Sequence, residues 1–343
     1  MKLEELASPL QRFVQAHYGA QAEVKGLQVM EAGHAGLTFG FAVAARSDAR
    51  VLVRLVLKLS PPGVRRSGNT DVFRQAPLLR ALHTAGLPVP DVPWAGADER
   101  WFGTPFVMME RLPGLPFFVW QPDPRFDLSP DLVRMLWQQC IDALVQLHRF
   151  DWQRHLPDWE KPTPLRDEIT RWDGILAKAP EPAWLVAGQQ VRELLLAHMP
   201  KDSPPGLVHG DYQPGNVLYE AGRMSGIIDW ELASIGSPLL DLGWVMMLAD
   251  SQSWHSDWKP LCPLTPQAIA AHYGAAGPEL PWWQALAGYR LGAISCLNVH
   301  LHRSGRRPDA TWERFALAIP RMFARAAALL QAPDSWSTEE TRQ

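Results

Sequence analysis

Between Leu207 and Glu231 the chain reads LVHGDYQPGNVLYEAGRMSGIIDWE. Two carboxylates and a carboxamide, Asp211, Asn216 and Asp229, are set among glycines and apolar, strand-like runs. A buried acid or amide is costly unless it is hydrogen-bonded, paired or coordinated to a metal. This stretch therefore demands a fold in which a small β-ribbon forms a rigid frame that aims these three side chains at a shared task. It is also the only place in the second half of the chain where strand-like signals occur, at Leu207–His209, Val217–Glu220 and Ser225–Asp229.

The rest of the chain divides around that ribbon. An amphipathic helix is expected over residues 1–20, followed by strands at Leu27–Glu31, Thr38–Ala45 and Val51–Ser60, with glycine and Arg-Ser-Asp-Ala-Arg turns between them. A helix over Asp71–Ala85 must begin or kink at Pro77. PVPDVPWAGADERWFGTPFVMMERL supplies two more strands. Residues 1–111 thus read as a five-stranded, mostly antiparallel unit with one internal helix. Beyond a proline-rich connection, residues 112–343 read as mainly helical. Ser129 and Pro130 mark the N-cap and first turn of a helix to His148, with Leu132, Leu136, Cys140, Leu144 and Leu147 at helical spacing. Further helices are expected at Pro164–Ala177, Trp184–His198, Thr265–Tyr273, Pro281–His302 and Thr311–Leu330.

Bulk properties narrow the functional classes. With 47% apolar residues the chain can bury a large core, and a net charge of −3 with both signs dispersed argues against a general nucleic-acid binder. The three cysteines are far apart and form no CxxC pair, so neither a disulfide framework nor a zinc ribbon is indicated. The N-terminus lacks a signal-peptide apolar core, and no run approaches the ~18 apolar residues of a membrane span. A cytoplasmic location, away from membranes, is the expectation.

Transfer of a phosphoryl group to a hydroxyl needs a carboxylate for the hydroxyl proton, oxygen ligands for Mg²⁺ and a cation on the remaining phosphates. Asp211, Asn216 and Asp229 match that demand in type. HGDYQPGN followed by IIDWE resembles the signature of the aminoglycoside-phosphotransferase-like small-molecule kinases, in the order H-x-D-x-x-x-x-N and then D-x-x known from protein kinases. The resemblance implies an α+β, bilobal protein-kinase-like fold, with a small antiparallel β N-lobe carrying one helix and a larger, mostly helical C-lobe. It implies Asp211 as catalytic base, Asn216 and Asp229 as ligands of Mg²⁺, and His209 and Asp241 as structural supports of the loop.

By the same resemblance, Lys58 at the end of LVLK would hold the nucleotide phosphates. Gly33 and Gly36 would belong to the hairpin covering them, although EAGHAGLTFG is not G-x-G-x-x-G and a plain β-turn would use the same residues. Met109, Glu110, Arg111 and Leu112 would form the hinge at the adenine edge. Val56, Leu218 and Ile228 would be its apolar walls, positions that would be ordinary core without a ligand. ATP, with GTP as an alternative, is the expected cosubstrate. One departure stands out. Gln75 occupies the place of the helix acid that pairs with the lysine in kinases, leaving Asp71 or the phosphates to hold Lys58.

DWELASIGSPLLDLGWVM and the PPG loop look most like the branch of this family found fused to, or encoded beside, acyl-CoA dehydrogenases. The likeness runs from about residue 27 to 330 and is strongest over Leu207–Met247. This implies a link to acyl-CoA metabolism. Glu231 and the basic run HLHRSGRRPD, with His300, His302 and Arg303, are candidates for contact with a small, anionic or acyl-linked substrate; a solvated helix end would use the same basic residues. Two other readings compete. One is a nucleotide-binding pseudokinase, favoured by Gln75. The other is a metal-dependent hydrolase using His209, Asp211 and Asp229, disfavoured because no HxH or HxxxH pair lies nearby.

Overall fold

The computed structural model describes residues 2–30, 37–61, 63–64, 66, 68–201 and 204–338. Its elements run α1 (Leu3–Tyr18), β1 (Ala22–Val29), β2 (Leu37–Ala45), β3 (Val51–Leu59), α2 (Gln75–Thr84), β4 (Trp94–Gly96), β5 (Phe106–Glu110) and β6 (Leu115–Pro116). They continue with α3 (Pro130–His148), α4 (Trp152–His155), α5 (Leu165–Thr170), α6 (Asp173–Leu176), α7 (Pro182–Ala197), β7 (Gly206–Val208), β8 (Val217–Glu220), β9 (Arg223–Ile227) and β10 (Ser234–Gly236). The chain ends in α8 (Leu239–Ala249), α9 (Pro266–Tyr273), α10 (Leu280–Arg303), α11 (Thr311–Ala316), α12 (Ile319–Gln331) and α13 (Ser335–Thr338). Two compact units result: residues 1–114 with 152–159 and 225–232, and the remainder.

In the first unit five strands form one sheet in the order β1-β2-β3-β5-β4, and every pairing is antiparallel. Strand residues alternate between faces, so Phe39, Phe41 and Val43 of β2 join Leu55, Leu57 and Leu59 of β3 on one side. Leu6, Leu10, Phe13 and Val14 of α1 bury themselves in the same cluster. Phe13 meets Trp101 and Phe106 edge-on, at centroid separations of 5.1 and 5.5 Å. The same alternation puts Val56 and Lys58 on the opposite face of β3. β1 begins at Ala22, five residues before the sequence suggests, because Gln11 of α1 bonds both the Ala22 carbonyl and the Val24 amide.

The second unit is built around α10, whose residues are buried on nearly all sides, as expected of a central helix. It packs against α6, α7, α8, α11 and α12. Gly243 of α8 permits the tightest of these approaches. A Cβ there would lie 2.3 Å from the Trp283 carbonyl oxygen. α9 is delimited by its own sequence: Thr265 caps the Ala268 amide, Pro266 opens the helix, and Gly274 closes it in the left-handed conformation.

The single helices expected over Pro164–Ala177 and Thr311–Leu330 are each broken in two. Pro320 sits at the start of α12, where a ring without an N–H is tolerated and a continuous helix is not. Ser129 stands at the N-cap of α3 but makes no side-chain capping bond. Leu132 is 36% exposed rather than part of the buried stripe.

Candidate active site

In the first unit, β3 carries Lys58 in register with Thr38 of β2 and Val107 of β5. Lys58 is buried, and its Nζ lies 3.1 Å from Oδ1 of Asp229. Helix α2 contains no acid, and Lys58, expected to be held by Asp71 or by the phosphates, is paired here with Asp229. Gln75 itself is buried, and its Nε2 has no hydrogen-bond partner among the described residues.

Asp229 holds φ at +65°, the left-handed region that aspartate tolerates better than most residues. The segment around it is firmly tied within the unit. Ile227 donates its amide to the Pro88 carbonyl at 2.8 Å, and buried Trp230 donates Nε1 to the Ile227 carbonyl. Gly226 sits so close to Leu112 that a Cβ would fall 2.2 Å from its Cδ1. On the other side, Arg74 at the foot of α2 donates to the Glu231 carbonyl and stacks on Trp159, whose indole N–H donates to the Arg74 carbonyl. Glu231 is half-buried in this tie.

The hinge residues continue β5. Met109 pairs with Val56, Glu110 donates its amide to Asp91, and the Arg111 amide donates to the Arg54 carbonyl. Leu112 packs over Gly226, and Ile228 adjoins Asp229 in the half-buried layer. Gly33 and Gly36 lie outside the described residues.

In the second unit, β7 and β10 pair antiparallel and deliver the chain into the His209–Asn216 loop. Asp241, wholly buried in the first turn of α8, accepts the amides of His209 at 2.7 Å and Gly210 at 2.8 Å. His148 of α3 bonds the same carboxylate through Nε2 at 3.3 Å and meets the Tyr273 hydroxyl through Nδ1. Burial pushes the Asp241 pKa up, but the hydrogen bond and charge of His148, with the charge and amide of His209, outweigh it. The carboxyl therefore stays below its ordinary range and remains ionised.

Asp211 projects from this braced turn. Its Oδ1 accepts from Gln213 Nε2 at 2.9 Å and its Oδ2 from Asn216 Nδ2 at 3.0 Å. Asn216 Nδ2 also donates to the Asp211 carbonyl at 2.8 Å. Those two acceptors fix which way the amide faces and leave its oxygen for another partner. Tyr212 anchors the loop from below, donating its hydroxyl to the Cys140 carbonyl, while Leu218 on β8 is 8% exposed.

His300, His302 and Arg303 occupy the last turn of α10. Arg303 is already matched by Glu181 and Glu313, at 2.7 and 2.8 Å. His302 accepts the Asp309 amide. Sequence reading missed the braces of the loop, His148 and Gln213, and the Arg74–Trp159 tie. Gln213 lay inside the motif. The others come from helices and loops far away in sequence, marked at most by a polar residue in an apolar setting.

Residues 38–288 match the phosphotransferase enzyme family known as APH. Acyl-CoA dehydrogenase family member 10 of Mus musculus is 27% identical over 196 residues, 56% of this chain but 18% of that protein, so the chain spans under a fifth of this relative's length. A protein from Ralstonia eutropha, provisionally named an aminoglycoside phosphotransferase, superposes with a TM-score of 0.69 at 19% identity, covering 96% of this chain and 98% of that one. The aminoglycoside phosphotransferase APH(4)-Ia, in a ternary complex with AMP-PNP and hygromycin B, gives 0.62 at 17% identity over 93% and 98%. These likenesses show a kinase-like α+β fold. By its matched residues the chain is a member of the APH phosphotransferase enzyme family.

Proposed function

We propose that this phosphotransferase moves the γ-phosphoryl group of ATP, with GTP an alternative, to a hydroxyl of a small anionic or acyl-linked molecule. The observation that carries the reading is the Asp211–Asn216 pair on a loop whose turn is clamped by buried Asp241. Asp211 is held by two amide donors, so its carboxylate is oriented to accept the proton of an incoming hydroxyl. Asn216 offers its free amide oxygen and Asp229 its carboxylate, an all-oxygen donor set of the kind Mg²⁺ prefers. When bound, that ion would neutralise charge between the β- and γ-phosphates.

Lys58, positioned by Asp229, presents a cation to the non-transferred phosphates. Val56, Leu218 and Ile228 would contact the base, and the backbone of Met109–Leu112 its edge. A nucleotide is supported by the AMP-PNP bound to APH(4)-Ia, and an acyl-linked acceptor by the acyl-CoA dehydrogenase relative.

The test is ADP release from MgATP with hydroxyacyl-CoAs against aminoglycosides; turnover with aminoglycosides alone sinks the acyl-linked acceptor. Asp211→Asn should lower turnover about 10²–10⁴-fold while nucleotide binding persists. The pseudokinase reading, which the absence of an acid from α2 favours, predicts instead that the wild type binds nucleotide and releases no ADP.

A further inference from the structure

Arg290 is the least expected charge in the second unit. It lies midway along α10, within the run LAGYRLGAI, and is 2% exposed. Its guanidinium lies over the indoles of Trp172 and Trp244, at 5.0 and 5.1 Å from their centroids. Nη2 donates to the Gly210 carbonyl at 3.0 Å, and Nε stands 3.3 Å from Oε1 of Glu168. Glu168 is buried too, and also accepts from the indole N–H of Trp172. Neither Nε nor Nη1 has a hydrogen-bond partner among the described residues.

Stability does not explain such a residue. Buried ion pairs can often be replaced by apolar side chains of similar volume without loss, because desolvation offsets their attraction. A guanidinium with one good hydrogen bond and two unsatisfied N–H positions is a poor filler for a helix core. What it does accomplish is specific. Gly210 holds φ at +88°, and its amide is taken by Asp241. Arg290 takes the carbonyl of the same residue, so the chain is gripped on both sides of the turn that aims Asp211. Burial drives the Arg290 pKa down, Glu168 drives it up, Arg171 pushes it down, and Asp241 and Asp211 act more weakly to raise it.

We propose that Arg290 is a positioning residue for phosphoryl transfer, acting through the Gly210 carbonyl to fix the orientation of Asp211. The inference rests on the kinase reading above. A small misplacement of a catalytic group lowers the chemical step much more than it lowers binding. Arg290→Met, which keeps apolar bulk against the indoles, should therefore reduce kcat ~10–100-fold with the KM for MgATP unchanged. Arg290→Lys, which restores a charged donor toward the carbonyl, should recover most of that loss.

The assay measures ADP release over the same acceptor panel, with nucleotide binding followed separately by titration of a fluorescent ATP analogue. Wild type that releases no ADP with any acceptor, whether or not it binds nucleotide, overturns the kinase reading and this assignment with it. Active wild type with Arg290→Met of equal kcat, or with Arg290→Lys no better than Arg290→Met, overturns the assignment alone. Should Arg290→Met fail to fold, Glu168→Gln decides. The arginine then remains without its carboxylate anchor, kcat should fall with KM unchanged, and an unaltered kcat refutes the role.

Discussion

Asp241 shows how one buried side chain can govern a site without touching substrate. It accepts two backbone amides and a histidine while wholly inaccessible. Replacement by alanine leaves the His209 and Gly210 amides without acceptors, a loss of about 3–5 kcal/mol for a buried, charge-assisted set. Chemical denaturation should read it directly, together with loss of turnover. Its pKa is lower folded than unfolded. The stabilisation is therefore fully present above the unfolded value and lost as pH falls through the folded one, so near neutral pH it is complete and does not vary with pH. Unfolding midpoints followed downward from pH 5 should show the wild type losing stability that Asp241→Asn never had.

Lys58 behaves differently because Asp229 keeps 27% of its side chain exposed. Lys58→Met should change stability by only ~1 kcal/mol after solvent screening. Its effect belongs to the reaction: loss of one preorganised cation should lower kcat/KM for MgATP on the order of 10²-fold. A melting shift with no kinetic loss would contradict the phosphate role.

At the scale of elements, glycines mark the closest approaches. Gly243→Ala forces a methyl into the Trp283 carbonyl where α8 meets α10. Both partners are backbone of buried helices, so the strain should amount to about 1–3 kcal/mol or more. Calorimetry should show a lowered Tm; an unchanged Tm would mean the two helices slide apart at no penalty.

Much of this level was legible in the sequence. The strands expected at Thr38–Ala45 and Val51–Ser60 and the helix expected at Thr265–Tyr273 appear as β2, β3 and α9 with ends shifted by at most one residue. The HGDxxxxN loop was legible as chemistry because residue type and spacing are local properties. The breaks at residues 171–172 and 317–318, the early start of β1 and the exposure of Leu132 were not. The break before α12 falls at Pro320, whereas the early start of β1 depends on a partner distant in sequence, Gln11 of α1. The same holds for the tie from Arg74 and Trp159, and for the arginine above Gly210. Residue type alone does not reveal which carbonyl a side chain will meet.

For the molecule as a whole, the unit boundaries do not follow the order of the chain. The first unit takes residues 1–114 but is completed by 152–159 and 225–232. Residues 1–114 alone lack Asp229, the Trp159 face and the strand end bonded to Pro88. That fragment should show no cooperative thermal transition by circular dichroism, and a sharp one would mean the later segments are dispensable.

The same discontinuity sets a timetable during synthesis. Lys58 leaves the ribosome 171 residues before the aspartate that neutralises it. At translation rates of about 5–20 residues per second, that gap lasts roughly ten to thirty seconds. Through that interval the sheet either waits half-formed or holds an unmatched ammonium against its own face. A slowdown of translation between residues 114 and 225 would lengthen that interval.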